Sequence, residues 1–579
     1  MEVRLRPADE GIVARLASTL RLRQATARCL AVRGLHEPQH AQGFIDPRLA
    51  ALRPPTGLAG LTGAVGRLAD AVVGAERIGV FGDYDVDGIT TAALLTIFLR
   101  ACGASVEVAV ASREAGYGFT TAAAIDLVDR GCTLIITGDC GTSDLDAITA
   151  AAGRGVQVIV VDHHTVPADV AAHPAFALVN PFRPDSTFPF RGMASVGLAF
   201  YVAAAVRTEL RDRGHFRSGR VEPDVRELLD LVALGTIADL VPLAAENRIL
   251  VSLGLKRLNG PSATRPGIAA LLACAAVDAE RGIDARTIAW KLAPRINAPG
   301  RLGAAEPALQ LLLAGADTAT ERAQVLEAAN LERRGIQDRV MAEALAIIEA
   351  RGEIGAAIVV AGEGWPPGVV GIVAAKLVDK YQRPAFVVGI DPASGIGRGS
   401  ARTSGGVNLY AALAEAAREA RCLDRFGGHA AAAGFTVHRT SIDALSEALG
   451  ASCTRFAQGS KPVSTGREID AEVKLAEVDE RLAEELAGLG PFGQENIAPV
   501  LVARGARVTG VRRVGDGSHL KLTLEDGYAC SRTAIGFGLG ARTVEVGSTV
   551  DLAFLPTIST WQGRRSAELE LVDVEPSAR

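Results

Sequence analysis

The chain has 579 residues, which at about 150 residues per domain sets an expectation of roughly four domains. Hydrophobic residues make up 48% and charged residues 22%, while Gly (63) and Pro (26) stay well short of low-complexity levels, so neither disorder nor a fibrous repeat describes it. A formal net charge of −5 excludes a general basic coat for nucleic acid but not a local groove, so a polyanion must be gripped at particular sites or through metal ions.

In chain order, the first fifty residues carry helical apolar stripes broken at Arg33-Gly34 and end at the turn-rich Arg53-Pro54-Pro55-Thr56-Gly57, predicting a helical lead-in over 1–58. Over 59–260 short β-rich runs alternate with helical segments: Ile78 to Phe81, Val106 to Val110, Leu134 to Ile136, Val156 to Val161 and Ala177 to Val179. That alternation predicts βαβ units and a mostly parallel sheet. Residues 261–350 read as connecting helices, with one long helix over Glu321 to Ala350. A second α/β unit is predicted over 351–457, with strands at Ala357 to Val360 and Ala385 to Val388 and a helix near Gly371 to Asp379. Residues 458–579 hold short strands with Gly-rich turns, the pattern of a small all-β barrel. The predicted class is therefore α/β multidomain, with a C-terminal barrel of OB-like size.

The acidic residues fall where a parallel sheet builds its sites. Ile78 to Phe81 leads into Asp83, Asp85 and Asp87 at two-residue spacing; Leu134 to Ile136 leads to Asp139, Val156 to Val161 into Asp162-His163-His164, and the apolar run Leu228 to Ile237 ends at Asp239. All strand C-termini of such a sheet open on one edge, so these residues can converge. Any one aspartate after a strand is more often a turn former or helix N-cap. A calcium loop starting at Asp83 is excluded, because its twelfth position is Leu94, which cannot ligate. Converged carboxylates repel one another unless a cation neutralises them, and oxygen-rich ligation with a minority of imidazole favours Mn2+ or Mg2+ over zinc. A pair of such ions suits phosphoryl transfer.

Further along, Gly397-Arg398-Gly399-Ser400-Ala401-Arg402-Thr403-Ser404-Gly405-Gly406 offers small residues and two guanidiniums, readable as an anion nest or as an ordinary turn. His429 lies in a bed of tiny residues that permits close approach of a strand, unless it is structural. Tyr117, flanked by Gly116 and Gly118, is placed either to stack on a base or simply to pack. Aromatic residues are about 4% of the chain, so a bound strand would be held mainly through its phosphates. Arg512, Arg513, His519 and Lys521 form a candidate basic edge on the barrel, with Trp561, Arg564 and Arg565 on another loop.

Eight cysteines without a C-x-x-C pair fit neither a disulfide scaffold nor a thiolate zinc site, and predict a reducing cytosol. The opening MEVRLRPADEG lacks a signal-peptide core, and no apolar stretch of membrane-spanning length occurs, so a cytoplasmic protein without membrane attachment is expected.

The aspartate and histidine motifs resemble those of the DHH phosphoesterase superfamily and, within it, the RecJ family of single-strand-specific 5′→3′ exonucleases. The likeness extends through Asn180-Pro181, Ala194-Ser195-Val196-Gly197, Pro294 to Leu302, Trp365 to Ala374 and Gly427-Gly428-His429 to Gly434. It implies DHH, DHHA1 and OB domains and a two-ion Mn2+ or Mg2+ centre. Asp87, Asp139, His163 and Asp239 would be direct ligands, Asp85 would complete a second site and Asp139 would bridge. Asp83 and Asp162 would be outer ligands or orienting groups, and His164 would act on the phosphate, making Asp139, Asp162 and His164 the catalytic set. Arg398, Ser400, Arg402 and His429 would contact the 5′-proximal backbone, with Arg295, Asn297 and Arg301 as further contacts. Where the family often has His, this chain has Pro366, so no catalytic role is expected there.

The expected activity is release of 5′-mononucleotides from single-stranded DNA in repair and recombination, with single strands selected by a passage too narrow for duplex. The family also implies a monomer working with single-strand-binding protein and a RecQ-type helicase. The alternatives are a DHH-type oligoribonuclease or cyclic-dinucleotide phosphodiesterase, which the long connector and extra barrel disfavour, and a non-catalytic strand-binding scaffold, which the complete set of candidate ligands disfavours.

Overall fold

The computed structural model describes residues 3–113, 116, 118–167, 169–217, 219–260, 264–278, 282–458, 467–526, 530–561 and 564–577. The chain divides into two compact units that cut across its order: Met1–Pro54, Leu240–Lys256 and Ser464–Arg579 form one, Pro55–Asp239 and Arg257–Val463 the other.

The first sheet of the larger unit comprises strands β1 (Arg77–Gly82), β2 (Ser105–Val110), β3 (Leu134–Gly138), β4 (Gln157–Val161) and β5 (Ala177–Val179), in the all-parallel order β2-β1-β3-β4-β5. Leu134, Ile135 and Ile136 are all fully buried, because helices cover both faces of a parallel sheet. Register carries the functional consequence. Gly82 pairs with Gly138 and Gly138 with Val161, so Asp83, Asp139 and Asp162 leave three neighbouring strands at one level. With strands about 4.8 Å apart, that alone brings three carboxyl groups together. Helix α1 (Val86–Ala101) lies close over this edge: a Cβ on Gly138 would sit 2.2 Å from the Thr91 methyl, so no larger residue fits there. Helices α2 (Ser195–Asp212) and α3 (Leu229–Ala238) pack on α1, and Asp239 is the C-cap of α3.

A π-helical turn, Ile288–Leu292, runs into α4 (Ala293–Leu302), and the predicted long helix is α5 (Ala319–Arg351). Its buried stripe of Leu326, Asn330, Arg333, Gln337, Val340 and Ala344 steps by four and three residues, a helix buried along one side with a polar centre.

The second sheet comprises β6 (Ile358–Glu363), β7 (Ala385–Ile390), β8 (Ile396–Arg402), β9 (Leu423–Gly428) and β10 (Ala432–His438), in the order β9-β10-β8-β7-β6. Helix α6 (Pro367–Tyr381) links the parallel pair β6 and β7, and Pro366 is its N-cap residue. Gly397 to Arg402, readable in the sequence as an anion nest, is instead the middle strand of the antiparallel part, its backbone paired to β7 on one side and β10 on the other. Its small residues serve packing: a Cβ on Gly399 would lie 2.2 Å from the Phe435 ring.

In the smaller unit, Leu501–Val514, His519–Glu525, Ser531–Gly536, Arg564–Pro576 and Thr549–Trp561 close into a five-stranded barrel as the last strand pairs back to the first. The first strand can serve both neighbours because irregularities between Ala503 and Ala506 and between Val508 and Gly510 bend it. The N-terminal segment is no free-standing lead-in: Val3–Leu5 pairs with Arg467–Ile469, and Val13, Leu16 and Leu30 share one core with Leu482, Leu522 and Phe554. Part of the candidate basic edge is engaged, since Lys521 pairs with Glu568 at 3.4 Å and Arg513 donates to the Gly540 carbonyl. All eight cysteines are free, and among the described residues no helix is long and apolar enough to cross a membrane.

Candidate metal centre and anion pocket

Three sets of donor atoms converge, each within 4.8 Å: Asp83, Asp85 and Asp139; Asp87, His163 and Asp239; and Asp139, His163 and His164. Asp139 and His163 each belong to two of these sets, and of the two only a carboxylate has two oxygens with which to serve two ions. The φ of 63° at Asp139 turns the carboxyl inward from the end of β3, and Ser195 Oγ donates to it at 3.2 Å. Both oxygens of Asp87 accept backbone N–H bonds from the start of α2, from Ser195 at 2.7 Å and Val196 at 3.0 Å, so the positive end of that helix steadies a buried carboxylate. Asp85 is the N-cap of α1, accepting from the Gly88 N–H at 3.1 Å. His163 Nε2 lies 3.2 Å from Asp139 and 3.6 Å from Asp239.

Asp162 plays a different part. Its oxygens accept from the backbone of Thr142, His163 and His164, and its Oδ1 lies 2.7 Å from His164 Nδ1. It is saturated by donors and fixes the imidazole. Burial opposes ionisation of Asp162, yet its bonds to His164 and Thr142 hold the carboxyl well below the usual range. Burial likewise opposes charge on His164, but the Asp162 bond lifts it to about 9, so it is a cation at neutral pH. Burial and then His164 push His163 down to about 4, leaving it neutral, the form that ligates.

The remaining carboxyls are crowded. Burial first and the charge of Asp85 second raise Asp83 and Asp87 to about 7 and Asp139 well above its ordinary value. Burial, then Asp87 and Asp85, raise Asp239 to about 8. Asp83 Oδ1 and Asp239 Oδ2 are buried without a hydrogen-bond donor. Unsatisfied, mutually repelling oxygens beside a neutral imidazole fit hard divalent cations, and the donor chemistry suits Mn2+ or Mg2+.

A pH dependence follows. Groups held protonated in the folded chain up to pH 7 or 8, but ionised at about pH 4 when unfolded, stabilise most at low pH and lose that contribution as pH rises through their folded values. His164 acts in the same direction, whereas His163 acts oppositely, below about pH 6.5. In chelator the melting temperature should therefore fall between pH 6.5 and 8, and the increment from added Mn2+ should grow over that window. An increment independent of pH would contradict this electrostatic account.

Beside the carboxyls lies a group of arginines. Arg113 stacks over Tyr84 at 4.4 Å and donates to the Gly300 carbonyl at 3.1 Å. Arg301 donates to the Gly368 carbonyl at 3.0 Å, tying α4 to the start of α6. Burial, then the neighbouring Arg113, Arg333 and Arg402, press Arg301 down to about 10. Arg402 bonds Ser400 Oγ at 3.0 Å, and both lean over Gly371 of α6. Among the described residues, no acid forms an ion pair with Arg113, Arg301 or Arg402. Crowded cations without acid partners have the chemistry that suits an anion of phosphate type.

Other predicted contacts fall elsewhere. Arg295 is engaged by Glu327 of α5. Asn297 is half-buried on α4, one turn before Arg301. Arg398 is exposed on the same side of β8 as Ser400 and Arg402, and His429 is exposed in the hairpin joining β9 and β10. Tyr117 lies outside the described residues. Sequence reasoning missed Arg113, Arg333 and the backbone donors of α2. It also missed the part played by Asn180, which bonds the His164 carbonyl at 2.9 Å and Thr142 at 3.1 Å; the quoted strings Asn180-Pro181 and Ala194 to Gly197 marked the places without revealing the roles.

The parallel sheet with its edge of aspartates and histidines, followed by a mixed sheet bearing arginines, defines a DHH-type phosphoesterase architecture. Residues 77–236 match the DHH family N-terminal domain, 354–454 the DHHA1 domain and 469–573 the RecJ OB domain. The chain belongs to the RecJ family: it is 34% identical to the single-stranded-DNA-specific exonuclease RecJ of Bacillus subtilis across 98% of this chain and 70% of that protein. It is likewise 34% identical to the protein of that name from Escherichia coli, across 100% of this chain and 99% of the other. The crystal structure of RecJ in complex with Mn2+ from Thermus thermophilus superposes with a TM-score of 0.79 at 29% identity, covering 100% of this chain and 79% of that one.

Proposed function

We propose that this chain is a single-stranded-DNA-specific exonuclease that works from the 5′ end and releases 5′-mononucleotides. The observation that supports it most is the juxtaposition of two things in one unit: a cluster of buried, repelling carboxyls with oxygens lacking donors, and an adjoining arginine group without acid partners among the described residues. Asp83, Asp85, Asp87, Asp139, His163 and Asp239 would hold two Mn2+ or Mg2+ ions. Bound there, such ions supply polarisation of the phosphoryl group and acidification of water.

The residues of the chain do the rest. Neutral His163 and the steadied Asp87 keep their lone pairs directed inward. Cationic His164, aligned by Asp162, donates to a phosphoryl oxygen as negative charge builds up and supports departure of the 3′-oxygen. Arg113, Arg301 and Arg402 hold the terminal phosphate and so set which end is cut. The closeness of α4 to α6, through Arg301 and Gly368, supports a passage that admits one strand. Family likeness supports work in repair and recombination, as a cytoplasmic monomer alongside single-strand-binding protein and a RecQ-type helicase.

The test is digestion of 5′- and 3′-labelled thirty-mers, single and double stranded, with and without Mn2+. Labelled mononucleotide should appear at once from the 5′ label of the single strand and require metal. Release first from the 3′ label, or faster cleavage of a dinucleotide than of the thirty-mer, would reject this reading in favour of another DHH-type phosphodiesterase.

A further inference from the structure

Trp290 is 78% exposed on the π-helical turn Ile288–Leu292. The cause is local: Ile288 and Leu292 are fully buried, and the residue midway between them faces away from the core. Trp365, by contrast, is buried, with its indole N–H donating to Glu343 at 2.6 Å. A single exposed aromatic by itself is ordinary, but this one sits on a π-helical turn, a feature that concentrates at functional sites.

Three further observations point to a nucleic-acid strand. Between Asp284 and Glu306 the chain carries Arg286, Lys291, Arg295 and Arg301 and no acid, although Arg295 is engaged by Glu327. Residues 290, 294, 297 and 301 are spaced by four, three and four, so Trp290 begins the half-exposed stripe of α4 that carries Asn297 and Arg301 to the site. Ten residues at 1.5 Å rise put Trp290 about 15 Å from Gly300. Gly300 itself lies against Tyr84 beside the aspartates, since a Cβ there would be 2.8 Å from the Tyr84 carbonyl oxygen.

We infer that Trp290 is a base-stacking station for the incoming single strand, several nucleotides from the cut, with Arg286 and Lys291 meeting the phosphates around it. The indole face accepts any base, which suits an enzyme without sequence preference. This inference rests on the proposed single-strand activity and adds where the uncut strand is held.

The test uses the full chain in an Asp139→Asn background, where the strand is bound but not cut. Trp290→Ala should weaken binding of a labelled thirty-mer about tenfold or more, the loss expected for one base–aromatic stack, without changing the melting temperature. Trp290→Phe should recover most of it. The ratio of affinities should fall towards one as the oligonucleotide shortens to a dinucleotide, which is too short to reach from the aspartates. Equal thirty-mer affinity for Trp290→Ala and its parent would overturn the inference, as would an equal loss at every length. The labelled-strand digestion judges the enzymatic reading separately: if uncut strand binds through Trp290 but the parent enzyme does not degrade it, the activity falls and the stacking station stands.

Discussion

Asp139→Asn should remove metal-dependent strand cleavage, by roughly 10³-fold or more, while leaving the apo-protein at least as stable as before. The two effects have one cause. Asp139 stands in two of the three donor sets, so its loss takes a donor from both and leaves only Asp87, His163 and Asp239 complete. Its carboxylate is also buried among Asp85, Asp87, Asp162 and Asp83, and without metal that charge is costly. Asparagine keeps the shape and deletes the charge. It is a better probe than Asp139→Ala, because the residue adopts φ 63°, where the short polar side chain of Asn is tolerated through local hydrogen bonding and alanine costs about 1 kcal/mol. Cleavage rates with thermal melts in chelator and in Mn2+ check it. Near-normal turnover would refute the ligand assignment, and a large drop in apo-stability would refute the picture of a strained carboxyl cluster.

Arg402→Ala should raise the KM for a 5′-phosphorylated strand about 10- to 100-fold, the value of one or two charge-assisted bonds, with a smaller change in kcat. The guanidinium is half-buried, shares its surroundings with Arg301, and is positioned by Ser400 and the Ala401 carbonyl. Removing it relieves repulsion in the free protein, so folding should survive. A strand ending in a 5′-hydroxyl should show a smaller difference between parent and variant. Inorganic phosphate should raise the melting temperature of the parent more than that of the variant. If both strands respond equally, Arg402 does not read the terminal phosphate.

Much of this molecule was readable in the sequence, and what was missed has physical causes. The strand ends before Asp83, Asp139 and Asp162 were visible as apolar runs stopping at acids, because burial between helices demands continuous hydrophobic strands. The segment Gly397 to Arg402 was misleading: glycine beside arginine reads as a loop, yet the glycines make room for Phe435 and Val388 from other strands. Sequence windows hold no record of a ring arriving from thirty-odd residues away. Arg295 and Arg301 looked alike, but one is engaged by Glu327 and the other stands in the arginine group. Glu327 lies a whole helix further along, so their different fates were hidden.

By itself the sequence determined the alternation of strands and helices, the long helix and the chemical kinds of group at strand ends, since periodicity, turn residues and helix caps act over a few neighbours. Tertiary structure alone decided that β1, β3 and β4 pair with their last residues level, that the N-terminus of α2 meets Asp87, and that the first helices share one core with the barrel. Those outcomes depend on burial and pairing between segments tens to hundreds of residues apart, and such energies exist only once the chain has folded.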